Sequence, residues 1–164
     1  MKKISITTTI SETNSLNDLG IEDQEIISLA LSAAGASWSP YSRFAVGAAL
    51  RLANGVIVTG TNVENAAFPS GICAEHTALS TAASSYPEIA PVAMAITALN
   101  KGKQVVTPVA PCGKCRQVIA ETENRYKRDI KLFLVGQNKV TIIERGCDLL
   151  PLVFSQRDLS SSDE

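Results

Sequence analysis

Residues 44–63, Phe-Ala-Val-Gly-Ala-Ala-Leu-Arg-Leu-Ala-Asn-Gly-Val-Ile-Val-Thr-Gly-Thr-Asn-Val, read as two strands, 44–53 and 56–63, around Asn54-Gly55. That dipeptide accepts the positive φ angles of a tight turn, so the two strands should form an antiparallel hairpin. Downstream, the Ala-rich stretch 73–85 suits a buried helix, 92–99 a strand, 112–123 a helix following Pro111, and 130–135 another strand. Residues 145–150 read as a helical turn stopped by Pro151. Upstream, Asn17 or Asp18 can cap a helix running to about Ala36, with Ile26, Ile27, Ala30, Leu31 and Ala34 as its apolar stripe and Pro40 beyond its end. Residues 3–10 alternate apolar and polar as a half-buried strand or extended arm would. The order helix, hairpin, helix, strand, helix, strand predicts an α/β fold, a three-layer α/β/α domain with a mixed central β-sheet. The expected organisation is an N-terminal strand or arm over 1–16, a single domain over 17–159, and a mobile tail over 160–164, where Ser-Ser-Ser-Asp-Glu offers nothing apolar to anchor it.

Bulk properties narrow the function classes. A chain of 164 residues has room for one ordinary core, and 45% hydrophobic with 19% charged residues is a globular composition. The formal net charge of -1 gives no general attraction for nucleic acid or an anionic membrane. No apolar run approaches the roughly 20 residues that span a bilayer. Met1-Lys2-Lys3 is followed by alternating Ile and Thr, not by a signal-peptide core, so the expected location is cytoplasmic. In such a compartment the four cysteines are better suited to metal than to disulfides.

Two segments carry the chemistry: Cys73-Ala74-Glu75-His76 and Pro111-Cys112-Gly113-Lys114-Cys115. Both place thiols at predicted helix starts, where the partial positive charge of the helix N-terminus favours the thiolate that zinc requires. A catalytic zinc takes three protein ligands and keeps a fourth position for water, which makes Cys73, Cys112 and Cys115 the candidate ligands. Glu75, two residues beyond a ligand, can reach a zinc-activated water without ligating and shuttle its protons. The competing reading adds His76 as a fourth ligand, because Cys-x-x-His followed by Cys-x-x-Cys can close a structural zinc site. Cys147 lies outside both segments and reads as a small buried hydrophobe.

The same residues, with Ser39-Pro40-Tyr41-Ser42-x-Phe44-x-Val46-Gly47-Ala48-Ala49-Leu50, Asn62-Val63-Glu64-Asn65-Ala66, Pro-Cys-Gly-x-Cys-Arg-Gln and Leu149-Leu150-Pro151 followed by Phe154, resemble the small homotetrameric zinc-dependent cytidine deaminases over about 18–159. The resemblance implies a cytidine deaminase-like fold and hydrolytic deamination of cytidine and deoxycytidine at a Zn2+ site in pyrimidine salvage. It implies that Asn62 and Glu64 hydrogen-bond the ribose hydroxyls, that Phe44 and Ala74 contact the nucleoside, and that Phe154 enters the site of a neighbour in a homotetramer. Relatives carry arginine where this chain has His76; His76 and Gln117 are therefore the expected donors to the thiolates. Three thiolates around Zn2+ leave a net negative centre, so nearby donors help keep the bound water acidic. A deaminase of another aminated base, a nucleic-acid-editing deaminase and a zinc-stabilised nucleoside-binding module are the alternatives; the short, nearly neutral chain disfavours the editing reading.

Overall fold

Residue parity along the strands sorts the core into two layers. The computed structural model describes residues 1–159; the tail expected at 160–164 lies outside the described residues. Strands β1 (Ser11–Thr13), β2 (Phe44–Leu52), β3 (Ile57–Thr61), β4 (Pro91–Asn100), β5 (Lys103–Gln104), β6 (Lys131–Val135) and β7 (Val140–Ile143) form one sheet. Its order is β1-β7-β6-β4-β2-β3, with β5 paired to β4. Only the β4–β6 pair is parallel, which makes the sheet mixed as expected. Even-numbered residues Ala48, Leu50 and Leu52 of β2, Met94 and Ile96 of β4, and Leu132 and Leu134 of β6 pack with α2 (Ala74–Ser85) and α3 (Gly113–Tyr126). Odd-numbered Ala49, Ala93, Ala95, Phe133 and Val135 pack instead with α1 (Ile21–Ala34). This is the period-two geometry of a strand, and it produces the three layers. Strand β4 is covered on both faces, which explains why its sequence is almost uniformly apolar rather than alternating.

The hairpin forms around Asn54-Gly55, with Gly55 at φ +84° and Asn54 Oδ1 accepting from the Val56 N–H at 3.1 Å. Two further glycines set the spacing of the layers. A Cβ on Gly47 would lie 2.0 Å from the Ala30 carbonyl oxygen, and one on Gly60 would lie 2.4 Å from that of Ala74 and 2.5 Å from the Ala78 nitrogen. Helix α2 therefore presses directly on β3, which fixes the height of the helix start that carries Cys73 and Glu75. Gly60→Ala is expected to destabilise the protein by about 1–3 kcal/mol, because backbone cannot yield as a side chain does. Gly113→Ala, where an added Cβ meets nothing within 4 Å, should stay within about 0.5 kcal/mol of the parent. Equal urea-unfolding midpoints for the two variants would refute this account.

Several expected boundaries move. Residues 3–10, expected as a half-buried strand or an extended arm, form no strand; pairing is at Ser11–Thr13, while Ile4, Ile6 and Ile10 remain exposed. Alternation makes a segment compatible with a sheet, but pairing needs a free edge, here β7, and the contacts of Glu12 with Lys139 and Thr141 select the register. Helix α1 begins after Gly20, not at Asn17 or Asp18, because Leu16–Asp18 closes a separate 3-10 turn capped by Ser15. Within its stripe Leu31 is left 38% exposed. Strand β7 has no counterpart in the sequence reading, since four residues including Thr141 carry too little periodicity to stand out.

Candidate active site

Cys73 is the N-cap of α2 and Cys112 the N-cap of α3, with Cys115 buried in the first turn of α3. The two helix starts converge so that the three sulfurs lie within 4.8 Å of one another. Two thiolates bound about 2.3 Å from a tetrahedral zinc are themselves about 3.8 Å apart, and Cys73 Sγ and Cys112 Sγ are separated by 3.8 Å. Burial, first of all, pushes the Cys73 and Cys115 thiols above their ordinary value. Against burial, the Cys115 backbone and the Cys115 and Cys73 thiols hold the Cys112 thiol below its ordinary value; a divalent cation would favour the thiolate form of all three. Among the described residues no fourth Cys, His, Asp or Glu joins the cluster, so the closed four-ligand arrangement with His76 is not formed and one coordination position stays open.

Glu75, in the first turn of α2, is 5% exposed and lies beside the Cys115 thiol. Burial raises its carboxyl above the ordinary carboxylate range, against the opposing pull of its own backbone N–H and of Cys115. Cys73, Glu75 and Cys112 line a cavity of about 210 Å³ together with Phe44, Asn62, Ala74, Ile96, Val109 and Ala110. A second, wider groove of about 550 Å³ shares Asn62 and Cys73 with it and continues past Glu64 to Tyr41 and Phe68. An inner chamber with a thiol cluster and a carboxylate thus leads through Asn62 to an outer rim where Ser42, Glu64 and Asn65 stand among Tyr41, Val63, Phe68 and Ile72. Among the described residues no lysine or arginine lines either space.

Asn62 and Glu64 are already heavily engaged. Asn62 Oδ1 accepts from the Val46 N–H at 2.7 Å and from Ser37 Oγ at 2.5 Å, and its Nδ2 donates to the Phe44 carbonyl oxygen at 2.9 Å. One amide N–H is left for a ligand. Glu64 accepts from the Tyr41 N–H at 2.9 Å, the Ser42 N–H at 3.2 Å and the Ser42 hydroxyl. The Ser42 hydroxyl is the main reason its carboxyl sits below the ordinary carboxylate range. Both side chains therefore shape the rim as well as offering it a donor and an acceptor.

The family described as the cytidine and deoxycytidylate deaminase zinc-binding region matches residues 21–128. This chain belongs to that deaminase family. It is 38% identical over 144 residues to a cytidine deaminase of Halalkalibacterium halodurans, covering 85% of this chain and 99% of the relative. It is also 38% identical over 141 residues to a cytidine deaminase of Sporosarcina psychrophila, covering 86% of this chain and 97% of that one. The fold is similar to the crystal structure of cytidine deaminase from Burkholderia pseudomallei, with a TM-score of 0.69, 36% identity, and coverage of 80% of this chain and 98% of that one. Membership of a zinc-binding deaminase family and the fit of the sulfur spacing agree that zinc is the metal of this site.

Relative to the family resemblance, the remaining site residues are distributed unevenly. His76 makes no hydrogen bond to a thiol among the described residues, and its Nδ1 is buried without a partner. Gln117 Nε2 donates at 2.7 Å to the carbonyl oxygen of Phe154. It thereby pins the C-terminal segment to α3. Phe154 is 59% exposed and lines neither the inner cavity nor the outer groove. Tyr41 stacks edge-to-face on Phe68 at 6.0 Å on the rim, and Trp38 and Phe68 are exposed. Cys147 is half-buried and remote from the metal cluster, and burial followed by its contact with Glu123 pushes its thiol up to about 11. Sequence reasoning missed Glu123, a buried carboxylate accepting from the backbone N–H groups of Ile130, Gly146 and Cys147. Its position on α3 carries no local signal, because its partners come from loops beyond the helix.

Proposed function

We propose that this protein hydrolyses the exocyclic amine of cytidine and deoxycytidine to give uridine or deoxyuridine and ammonia, a reaction of pyrimidine salvage. The observation that carries the proposal is the buried Glu75 carboxylate beside a three-thiol cluster, in a chamber that leads past Asn62 to a rim carrying Glu64 and aromatic Tyr41 and Phe68. Cys73, Cys112 and Cys115 would hold zinc. When bound, zinc supplies a Lewis acid that makes a water acidic near neutral pH. Glu75 takes one proton of the attacking water and gives it to the pyrimidine ring nitrogen, then takes the remaining proton of the added hydroxyl as C4 becomes a carbonyl and gives it to the departing amine, which leaves as ammonia. Burial raises its proton affinity, as the first of these transfers requires, since a more acidic carboxyl would be a weaker base toward the water.

Phe44 packs on the pyrimidine and Ala74 contacts it, while the remaining Asn62 N–H and a remaining lone pair of Glu64 grip the ribose hydroxyls. Hydrophobic Ile96 and Val109 keep other water from the chamber. His76 is a donor toward the thiolates in the zinc-loaded protein. Residues 17–159 act as one catalytic domain, with 1–16 an arm upon it, and the protein works in the cytoplasm; among the described residues no helix is long and apolar enough to cross a membrane. The outward placement of Leu152, Val153 and Phe154 supports a homotetramer in which Phe154 completes the site of a neighbouring copy.

The test is to incubate zinc-loaded protein with cytidine and with deoxycytidine and follow the ultraviolet change together with ammonia. Turnover of either nucleoside is expected. Zinc bound at one per chain without turnover of either would overturn the proposed substrates. A monomer by light scattering that retains full activity would overturn the shared site, because dilution of an obligate assembly removes activity with it.

A further inference from the structure

The exposed Cys112 has little packing of its own, so the place of its sulfur depends on how its backbone is held. Arg116 grips that backbone on both sides. Its main-chain N–H donates to the Cys112 carbonyl oxygen at 2.9 Å, and its side-chain Nε donates to the carbonyl oxygen of Pro111, the residue before Cys112, at 2.8 Å. The same guanidinium reaches with Nη1 to the Leu149 carbonyl oxygen at 3.1 Å. Pro111 is fully buried and precedes the N-cap, so its carbonyl has no place in the hydrogen-bond ladder of α3. Without Arg116 that carbonyl would be stranded away from water.

We propose that Arg116 is a positioning residue for the metal centre: its guanidinium locks the Pro111 carbonyl against the Leu149 carbonyl and thereby fixes where Cys112 presents its sulfur to zinc. The planar fork is what the task needs. Two N–H groups at a fixed angle hold two carbonyls at a fixed separation, whereas a lysine ammonium is a point donor on a flexible stem. The lock also joins the metal loop to the start of the segment 149–154, whose far end Gln117 ties down at Phe154. This inference rests on the reading that Cys73, Cys112 and Cys115 hold zinc.

Zinc release to a chromophoric chelator tests it, measured on the zinc-loaded wild type and on Arg116→Met, Arg116→Lys and Arg125→Met. Arg125 is the control, since its guanidinium contacts the Pro87 carbonyl oxygen at 3.4 Å far from the metal loop on the same helix. Arg116→Met should release zinc at least about tenfold faster, as expected when a residue that orients a metal ligand is lost. Arg116→Lys should fall between Met and wild type, and Arg125→Met should stay within about twofold of wild type. Should Arg116→Met not fold, Arg116→Lys alone decides, and it must still release zinc faster than wild type. Wild-type release rates in both Arg116 variants would overturn the positioning role, as would an equal acceleration in Arg125→Met, which would mark a general loosening of α3. A wild-type protein that binds no zinc, or a Cys112→Ser variant that holds zinc as well as wild type, would overturn the ligand assignment on which the inference stands. These outcomes are separable from a failure of Arg116 alone.

Discussion

Glu75→Gln is expected to keep its zinc and lose at least about 10²–10⁴ of its kcat on cytidine, the usual worth of a positioned acid-base group. That factor corresponds to about 3–5.5 kcal/mol of transition-state stabilisation. The substitution conserves shape in a position that is 5% exposed, so packing of the α2 start against the thiol cluster should survive. It removes only the ability to take a proton and return it, because an amide at that place is neither a base nor an acid near neutral pH. Zinc content by atomic absorption and turnover by ultraviolet absorbance check the two halves separately. Near-normal kcat with zinc in place would remove Glu75 from the mechanism, whereas loss of zinc would mean that the carboxylate contributes to the metal site itself.

The second large effect concerns stability. Glu123→Ala should cost about 3–5 kcal/mol, comparable to breaking a buried charged contact. Its carboxylate accepts from Ile130 N–H at 2.7 Å, Gly146 N–H at 2.8 Å and Cys147 N–H at 2.8 Å; Ala leaves the Ile130 and Cys147 donors without an acceptor and Gly146 N–H with the Ile130 carbonyl oxygen at 3.0 Å alone. Glu123→Gln should retain part of the loss, since one oxygen can still serve Ile130 and Gly146 while the amide NH2 would face the Cys147 N–H as donor against donor. Urea unfolding of the zinc-loaded proteins should therefore rank wild type above Gln above Ala. A cost below about 1 kcal/mol for Ala would show that water replaces the carboxylate, and the clamp between α3 and the turn at Gly146–Leu149 would lose its assigned weight.

Local chemistry made much of this protein legible before any coordinates. Asn54-Gly55 specifies a turn by itself, and the Ala-rich run after Cys73 and the stretch after Pro111 specify helices because residue propensity and a proline ahead of the first turn act locally. Cys112 and Cys115 share a helix start through their spacing alone. Glu75 follows Cys73 by two residues, so its nearness to the ligand was also local. The N-terminal strand shows the opposite limit: alternation in 3–10 was real, yet pairing fell to Ser11–Thr13, since a strand needs a partner edge as well as a pattern.

What the sequence by itself determined is therefore a set of short-range facts: a hairpin, an apolar stripe on the first helix, thiols at helix starts and a carboxylate beside one of them. The tertiary structure decided which of these meet. Cys73 and Cys112 are 39 residues apart in the chain and 3.8 Å apart at their sulfurs, because α2 presses on β3 across Gly60 while α3 packs over the same face of the sheet. It also decided that His76 stays out of the thiol cluster, that Asn62 spends most of its hydrogen bonds on Ser37, Phe44 and Val46, and that Phe154 does not line the chamber. The physical reason is one of range. Dihedral preference, capping and periodicity act over a few residues, whereas the closing of a metal site and the satisfaction of buried polar groups depend on segments brought together only when the sheet and its two helix layers have packed.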